Sequence, residues 1–192
     1  LSLNTRKTAE DSAKKPDRHH LNKAVLAPGT GLGESLIIDG KVYATEGAHS
    51  DFAPEEEPDL GLWKFLHEQY GHVSYERILS GPGLTNVYRY LRTRQSHPAS
   101  FAKDLNPQEI SNNALSGICP LCVSALDTFV RILGAEAGNL ALKTLALGGI
   151  YLGGGIPPKI QDKLTDGTFM TAFTNKGRFG RLLEDIPVFL IL

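Results

Sequence analysis

The chain alternates between short apolar stretches with a strand-like rhythm and longer ones with a helical rhythm, and that order sets the expected architecture. Residues 23–27 read as a first strand. Asp39-Gly40 then separates the apolar runs at residues 32–38 and 41–45. An Asp-Gly pair in that position is a strong hairpin signal, because both residues tolerate positive φ. Residues 1–22 contain KKPDRHH and little apolar period, so they read as a polar, linker-like leader to one domain over 23–192.

Helical spacing begins after the acidic run at 55–57 and Pro58, where Leu62, Phe65, Leu66 and Tyr70 share a face and Gly71 supplies a stop. A second helix is predicted over 73–79, broken by the SGPG at 80–83. A third starts near Leu84, with Leu84, Val87, Tyr88 and Leu91 in register. A short helix is predicted over 107–116. A long one over 121–147 carries Leu126, Phe129, Val130, Leu133, Ala137, Leu140 and Ala141 on one face. GIYLGGG at 149–155 reads as a strand ending in a glycine turn, and 186–192 as a closing strand. Strands interleaved with helices predict an α/β domain, interrupted at both ends.

Composition narrows the function classes. With 192 residues and a formal charge of −1, the chain can bury a sizeable core, while its Lys and Arg are scattered among as many acids. No nucleic-acid surface is expected. No apolar run approaches the ~20 residues that span a bilayer, so the expectation is a cytoplasmic protein with no membrane partner. Cys119 and Cys122 form a CPLC pair, a spacing shared by redox pairs, zinc half-sites and plain buried thiols. Two thiolates alone do not complete a tetrahedral site, and no metal site is expected.

The candidate chemistry concentrates between residues 28 and 51. In PGTGLG, Gly29, Gly31 and Gly33 would let the backbone approach an anion, and Thr30 adds a hydroxyl and an N–H. The same residues would suit a tight turn requiring positive φ. The motif is not a Walker A loop, since Gly33-Glu34 stands where Lys is needed. Nor is it a dinucleotide fingerprint, since Leu36, Ile37 and Ile38 read as strand. Within EGAHSD, Glu46 and His49 offer a carboxylate and an imidazole that suit the hydroxyls of a sugar. The alternative is that Asp51 caps a helix or its turn while His49 packs locally. Glu76 by itself is a helix acid at the surface or in an i,i+4 pair. Arg77 and Asn86 are assigned no reaction, and Asp104, Glu109, Glu136 and Asp162 have no suitable partner nearby in sequence.

The ordered series PGTGLG, EGAHSDFAP, YGHVSYERILSGPGLTNVYRYL, GNLAL and YLGGGIPP closely resembles the bacterial-type glucokinase family over residues 23–192. That resemblance implies the larger domain of an actin-like ATPase fold (ribonuclease H-like), with a mixed sheet and packed helices. It implies transfer of the γ-phosphoryl of ATP to the 6-hydroxyl of glucose, with Mg²⁺, and self-association as a homodimer. By the family motifs Glu46, His49 and Glu76 look like sugar ligands. Gly29, Thr30 and Gly31 look like a phosphate turn, Gly33 completes the GTGLG motif, and Gly153, Gly154 and Gly155 look like the turn beside ribose and base. The family's Asp-Gly-Gly-Thr turn and the Asn-Asp pair that holds its general base have no counterpart here. No catalytic residue is therefore assigned, and the sequence is expected to start after that Asp and stop before a terminal helix. Activity is expected of the full-length protein; the alternatives are a non-catalytic sugar-binding or regulatory module and an interaction scaffold.

Overall fold

The computed structural model describes residues 2–3, 20–94 and 103–192; of the predicted leader, residues 1 and 4–19 lie outside the described residues. Five strands form one mixed sheet in the order β3-β2-β1-β4-β5. β1 (Lys23–Pro28), β2 (Leu32–Ile38) and β3 (Lys41–Thr45) are an antiparallel meander, while β4 (Gly149–Leu152) and β5 (Val188–Leu190) run parallel to β1. The hairpin turn has Asp39 at φ 49° and Gly40 at φ 74°, the pair of positive values that an Asp-Gly two-residue turn supplies. Ser2 bridges to Phe189 and Leu3 donates to Val188 O, so the start of the leader docks on β5.

Alternation along the strands sets the layers. Ala24 and Leu26 of β1, Ile150 and Leu152 of β4, and Val188 and Leu190 of β5 all turn into the core. The long helix α4 (Pro120–Thr144) packs against β1 and β4, and its predicted face is buried from Leu126 to Ala141. It begins at Pro120 behind Cys119, whose Sγ accepts the amide of Cys122 at 3.1 Å. Both thiols are free and buried, and burial pushes that of Cys122 up to about 12. The CPLC pair is thus an N-cap followed by a core residue.

α1 (Glu57–Tyr70) starts with the acids of its first turn and stops at Gly71, where φ is 71°. Its buried Asp59 pairs with Arg131 of α4 and accepts the Glu55 and Glu56 amides, both at 3.2 Å. α2 (Gly81–Arg94) and α3 (Pro107–Leu115) complete the layer with α4. α5 (Gln161–Thr165), α6 (Thr168–Thr174) and α7 (Gly180–Glu184) follow β4 and lead to β5. Among the described residues no single helix is long and apolar enough to cross a membrane.

Three expectations need correction. The helix predicted over 73–79 is a single 3-10 turn, Tyr75–Arg77. Its preceding residues are extended because they pair elsewhere: Asp51 bridges to Ser74, and Phe52 donates to Val73 O at 2.9 Å. SGPG does not break a helix but begins one, since the Ser80 hydroxyl accepts the Gly83 amide at 3.0 Å and Pro82 sits in the first turn, where its missing N–H costs nothing. The closing strand is only Val188–Leu190.

Candidate functional site

Parallel strands deliver their loops to one edge of a sheet, and ligands in such folds sit beyond the strands' carboxyl ends. Here β1 runs into Pro28-Gly29-Thr30-Gly31 and β4 runs into Gly153-Gly154-Gly155, so the two glycine turns meet. Gly153 donates to Leu26 O at 3.0 Å, and Ile156 donates to Pro28 O at 3.2 Å. Gly154 has φ 82°, and a Cβ there would run into Pro28 O; a side chain is excluded on two counts. Thr30, Gly154 and Gly155 are exposed.

The first turn has a reason for its glycines other than the positive φ considered above, since none of Gly29, Gly31 and Gly33 adopts one. A Cβ on Gly31 would lie 2.6 Å from Glu76 Oε2, the oxygen that accepts the Leu32 amide at 3.0 Å. Gly29 donates to Gly31 O at 2.7 Å, and its own carbonyl accepts the Gly81 amide at 2.8 Å. The positive end of α2 is thereby tied to the turn. Gly33 stands apart, within β2 opposite Ala27.

Glu46 and His49 flank a 3-10 turn, Gly47–His49, anchored by buried Ala48. His49 Nε2 is 3.7 Å from Glu46 Oε2, and the two side chains are 56% and 89% exposed, so both polar groups face solvent above a fixed backbone. The turn packs against the Tyr75–Arg77 turn, which carries Glu76. Phe52 meets the edge of Tyr75 at a 5.6 Å ring separation, and the Tyr75 amide donates to Ser50 O at 3.3 Å. Glu76 is thus the joint between the Gly29–Gly31 turn and the turn that carries Glu46 and His49. Asp51 belongs to neither: it pairs with His72 at 2.9 Å and caps no helix.

Most of the remaining candidates have structural partners. Asp104 is held below the usual carboxylate range by its hydrogen bond to Arg89, with Arg92 also 2.9 Å away. Glu109 closes the capping box of α3 with Asn106. Asp162 is exposed in the first turn of α5. Arg77 stacks over Tyr70 at 4.1 Å, and Asn86 donates to Arg77 O.

Sequence reasoning missed one group. Glu136, on the inward side of α4, is fully buried and lies near Glu34 of β2, itself 7% exposed. Burial first, then the Glu136 charge, pushes Glu34 up to about 7; burial also raises Glu136. The available signal was an acid at 136 amid Leu133, Ala137 and Leu140, a break in an otherwise apolar face.

The architecture is that of the larger domain of the actin-like ATPase (ribonuclease H-like) class, with the two glycine turns and the polar turn gathered along one edge of its mixed sheet. The glucokinase family model matches residues 2–192, and the chain belongs to that family. It is 45% identical over 174 residues to a glucokinase of Neisseria meningitidis, covering 88% of this chain and 52% of that protein. The crystal structure of a glucokinase from an Antarctic psychrotroph superimposes with a TM-score of 0.85 at 31% identity, over 100% of this chain and 57% of that one. A glucokinase from Balamuthia mandrillaris, solved in complex with glucose, shares the fold with a TM-score of 0.82 at 23% identity, over 95% of this chain and 52% of that one. The chain spans about half the length of the curated relatives it matches.

Proposed function

We propose that this chain forms the larger half of a glucose-phosphorylating site and that the protein containing it transfers the γ-phosphoryl of ATP to glucose in the cytoplasm. The observation that carries this reading is Glu76, whose one carboxylate oxygen fixes the anion-type turn while its own turn packs on the one bearing Glu46 and His49. Family membership supports the same chemistry. The free thiols of Cys119 and Cys122 fit a reducing compartment.

In this reading Glu46 and His49 hydrogen-bond sugar hydroxyls and Glu76 orients a further hydroxyl beside the phosphate turn. Thr30 and Gly31 offer N–H groups and a hydroxyl to phosphate oxygens, Gly29 shapes the turn by donating its own N–H to Gly31 O, and the N-terminus of α2 behind them adds favourable potential. The nucleotide is assigned in this reading to the turn at Gly153, Gly154 and Gly155, where Gly154 and Gly155 are exposed and a side chain on Gly154 would strike Pro28 O. ATP supplies the transferred phosphoryl when bound. Mg²⁺ would accompany the ATP, held chiefly by phosphate oxygens and waters, and would neutralise charge on the transferred group.

The test is glucose-dependent ADP formation by the longest natural protein that carries this sequence, beside its Glu76→Ala variant. Turnover in the first and a loss of at least about a hundredfold in the second is expected, as for removal of a group that positions a reactant. No glucose-dependent ADP from the intact protein overturns the reading, and saturable glucose binding without turnover would leave a sugar-binding module instead.

A further inference from the structure

Beneath the polar turn lies a pair of buried acids that the proposed chemistry does not use. Glu34 points from β2 toward Gly47, and a Cβ on Gly47 would run into Glu34 Oε2, so the carboxyl is seated directly against the turn's backbone. The end of β3 also ties the turn to Glu34: Thr45 Oγ1 donates to Glu34 O at 3.0 Å and accepts the Gly47 amide at 3.2 Å. Glu136 reaches the second turn. It accepts from Asn139 Nδ2 at 2.9 Å and from the Tyr75 hydroxyl, which also accepts from Asn139 at 3.1 Å. Each acid therefore supports one of the two turns that carry Glu46, His49 and Glu76.

The two carboxyls are not equivalent. Glu136 has two donors and Lys143 Nζ at 3.8 Å, and Lys176 adds a more distant positive charge. Among the described residues no group hydrogen-bonds Glu34 Oε1 or Glu136 Oε1, so the difference lies in the donors that Glu136 has and Glu34 lacks. Two buried like charges with one set of donors is a costly arrangement, and such pairs ordinarily keep one proton. The donors place the charge on Glu136 and leave the proton to Glu34.

We propose that Glu34 and Glu136 are a positioning pair that holds the Gly47–His49 turn through a single proton, kept on Glu34, and that loss of this proton unseats the turn and weakens sugar binding. The last consequence rests on the sugar reading of Glu46 and His49; the hold on the turn does not. Glu46 and His49, carried by the turn itself, and Tyr75, Lys143 and Lys176 around the pair are all present in a Glu34→Gln protein, so comparison with that variant isolates the Glu34 proton. Gln at 34 also reproduces the shape and neutrality of the protonated acid.

Amide hydrogen exchange over residues 46–50 at pH 6 and pH 8, in wild type and Glu34→Gln, is the direct test, with glucose affinity measured on the same samples. Glu34 passes from about one-tenth to about nine-tenths ionised over that interval. Wild type is expected to lose roughly tenfold in protection relative to Glu34→Gln, with a parallel loss of glucose affinity. A Glu136→Gln protein, lacking the like charge, should lose protection less steeply than wild type. Equal pH dependence in wild type and Glu34→Gln overturns the proposal, as does a loosened turn with unchanged glucose affinity. Absence of glucose binding by every protein at both pH values contradicts the sugar reading, and exchange then decides alone whether the pair holds the turn.

Discussion

Single residues at this edge are constrained more by what they exclude than by what they contact. Gly154 is the clearest case: positive φ and the Pro28 carbonyl both bar a side chain. Gly154→Ala is expected to lower stability by about 2–4 kcal/mol from backbone strain and overpacking, read as a shift in the denaturation midpoint at unchanged slope. A change within about 0.5 kcal/mol would mean that the turn relaxes freely. The GTGLG motif was visible as a glycine turn, open to an anion or to positive φ, but the reason for Gly31 was not. The side chain it makes room for is Glu76, which its own segment left as a surface or i,i+4-paired acid and which only the family motif raised to a sugar ligand. Its meaning depends on the Leu32 amide, a contact between distant parts of the chain.

At the scale of elements, periodicity was a good guide wherever an element is defined by its own neighbours. The β2–β3 hairpin follows from Asp39-Gly40, and α4 follows from an apolar face long enough to dominate. The failures are where pairing between segments decided: residues 73–74 took up strand-like contacts with 51–52, and Ser80 capped a helix that Gly81 and Pro82 disguised. α4 also shows why glycine inside a helix is tolerated. A Cβ on Gly134 would run into Phe169 O and come within 3.2 Å of Ala172 Cβ, so α4 and α6 approach backbone to side. Gly134→Ala gains helix propensity worth about 1 kcal/mol but forces the helices apart, and a net loss of about 1–2 kcal/mol is expected in chemical denaturation. A net gain would show that α6 moves aside without cost.

For the whole molecule, the Glu34–Glu136 pair links stability to pH. Glu34 has its folded pKa raised from 4.5 to about 7, so the folded state binds a proton that the unfolded chain has released. The associated stability is complete below about pH 4.5, declines as pH rises, and is lost once pH passes about 7. The decline amounts to at most about 3–4 kcal/mol at about 1.4 kcal/mol per unit. Thermal denaturation across that range should show the limb in wild type and a flatter one in Glu34→Gln; an equal slope in both would assign the pH dependence to other groups. The sequence shows one half of this coupling, since Glu136 breaks an apolar face, but not the other, because Glu34 is unremarkable in β2 and comes near Glu136 only once the sheet and α4 have packed.

The central claim is that Glu46, His49 and Glu76 form a glucose site. It is tested most directly by calorimetric titration of the 192-residue chain with glucose and with galactose, in wild type and Glu46→Ala. Glu46 is the cleanest position because it is exposed and caps its turn with no side-chain hydrogen bond, so its removal leaves the fold intact. Saturable heat with glucose, little with galactose, and at least about tenfold weaker binding in Glu46→Ala is the predicted result, the scale expected for losing a hydrogen bond to a charged group. Glucose binding of equal strength in wild type and Glu46→Ala, or no preference between the two sugars, would contradict the account.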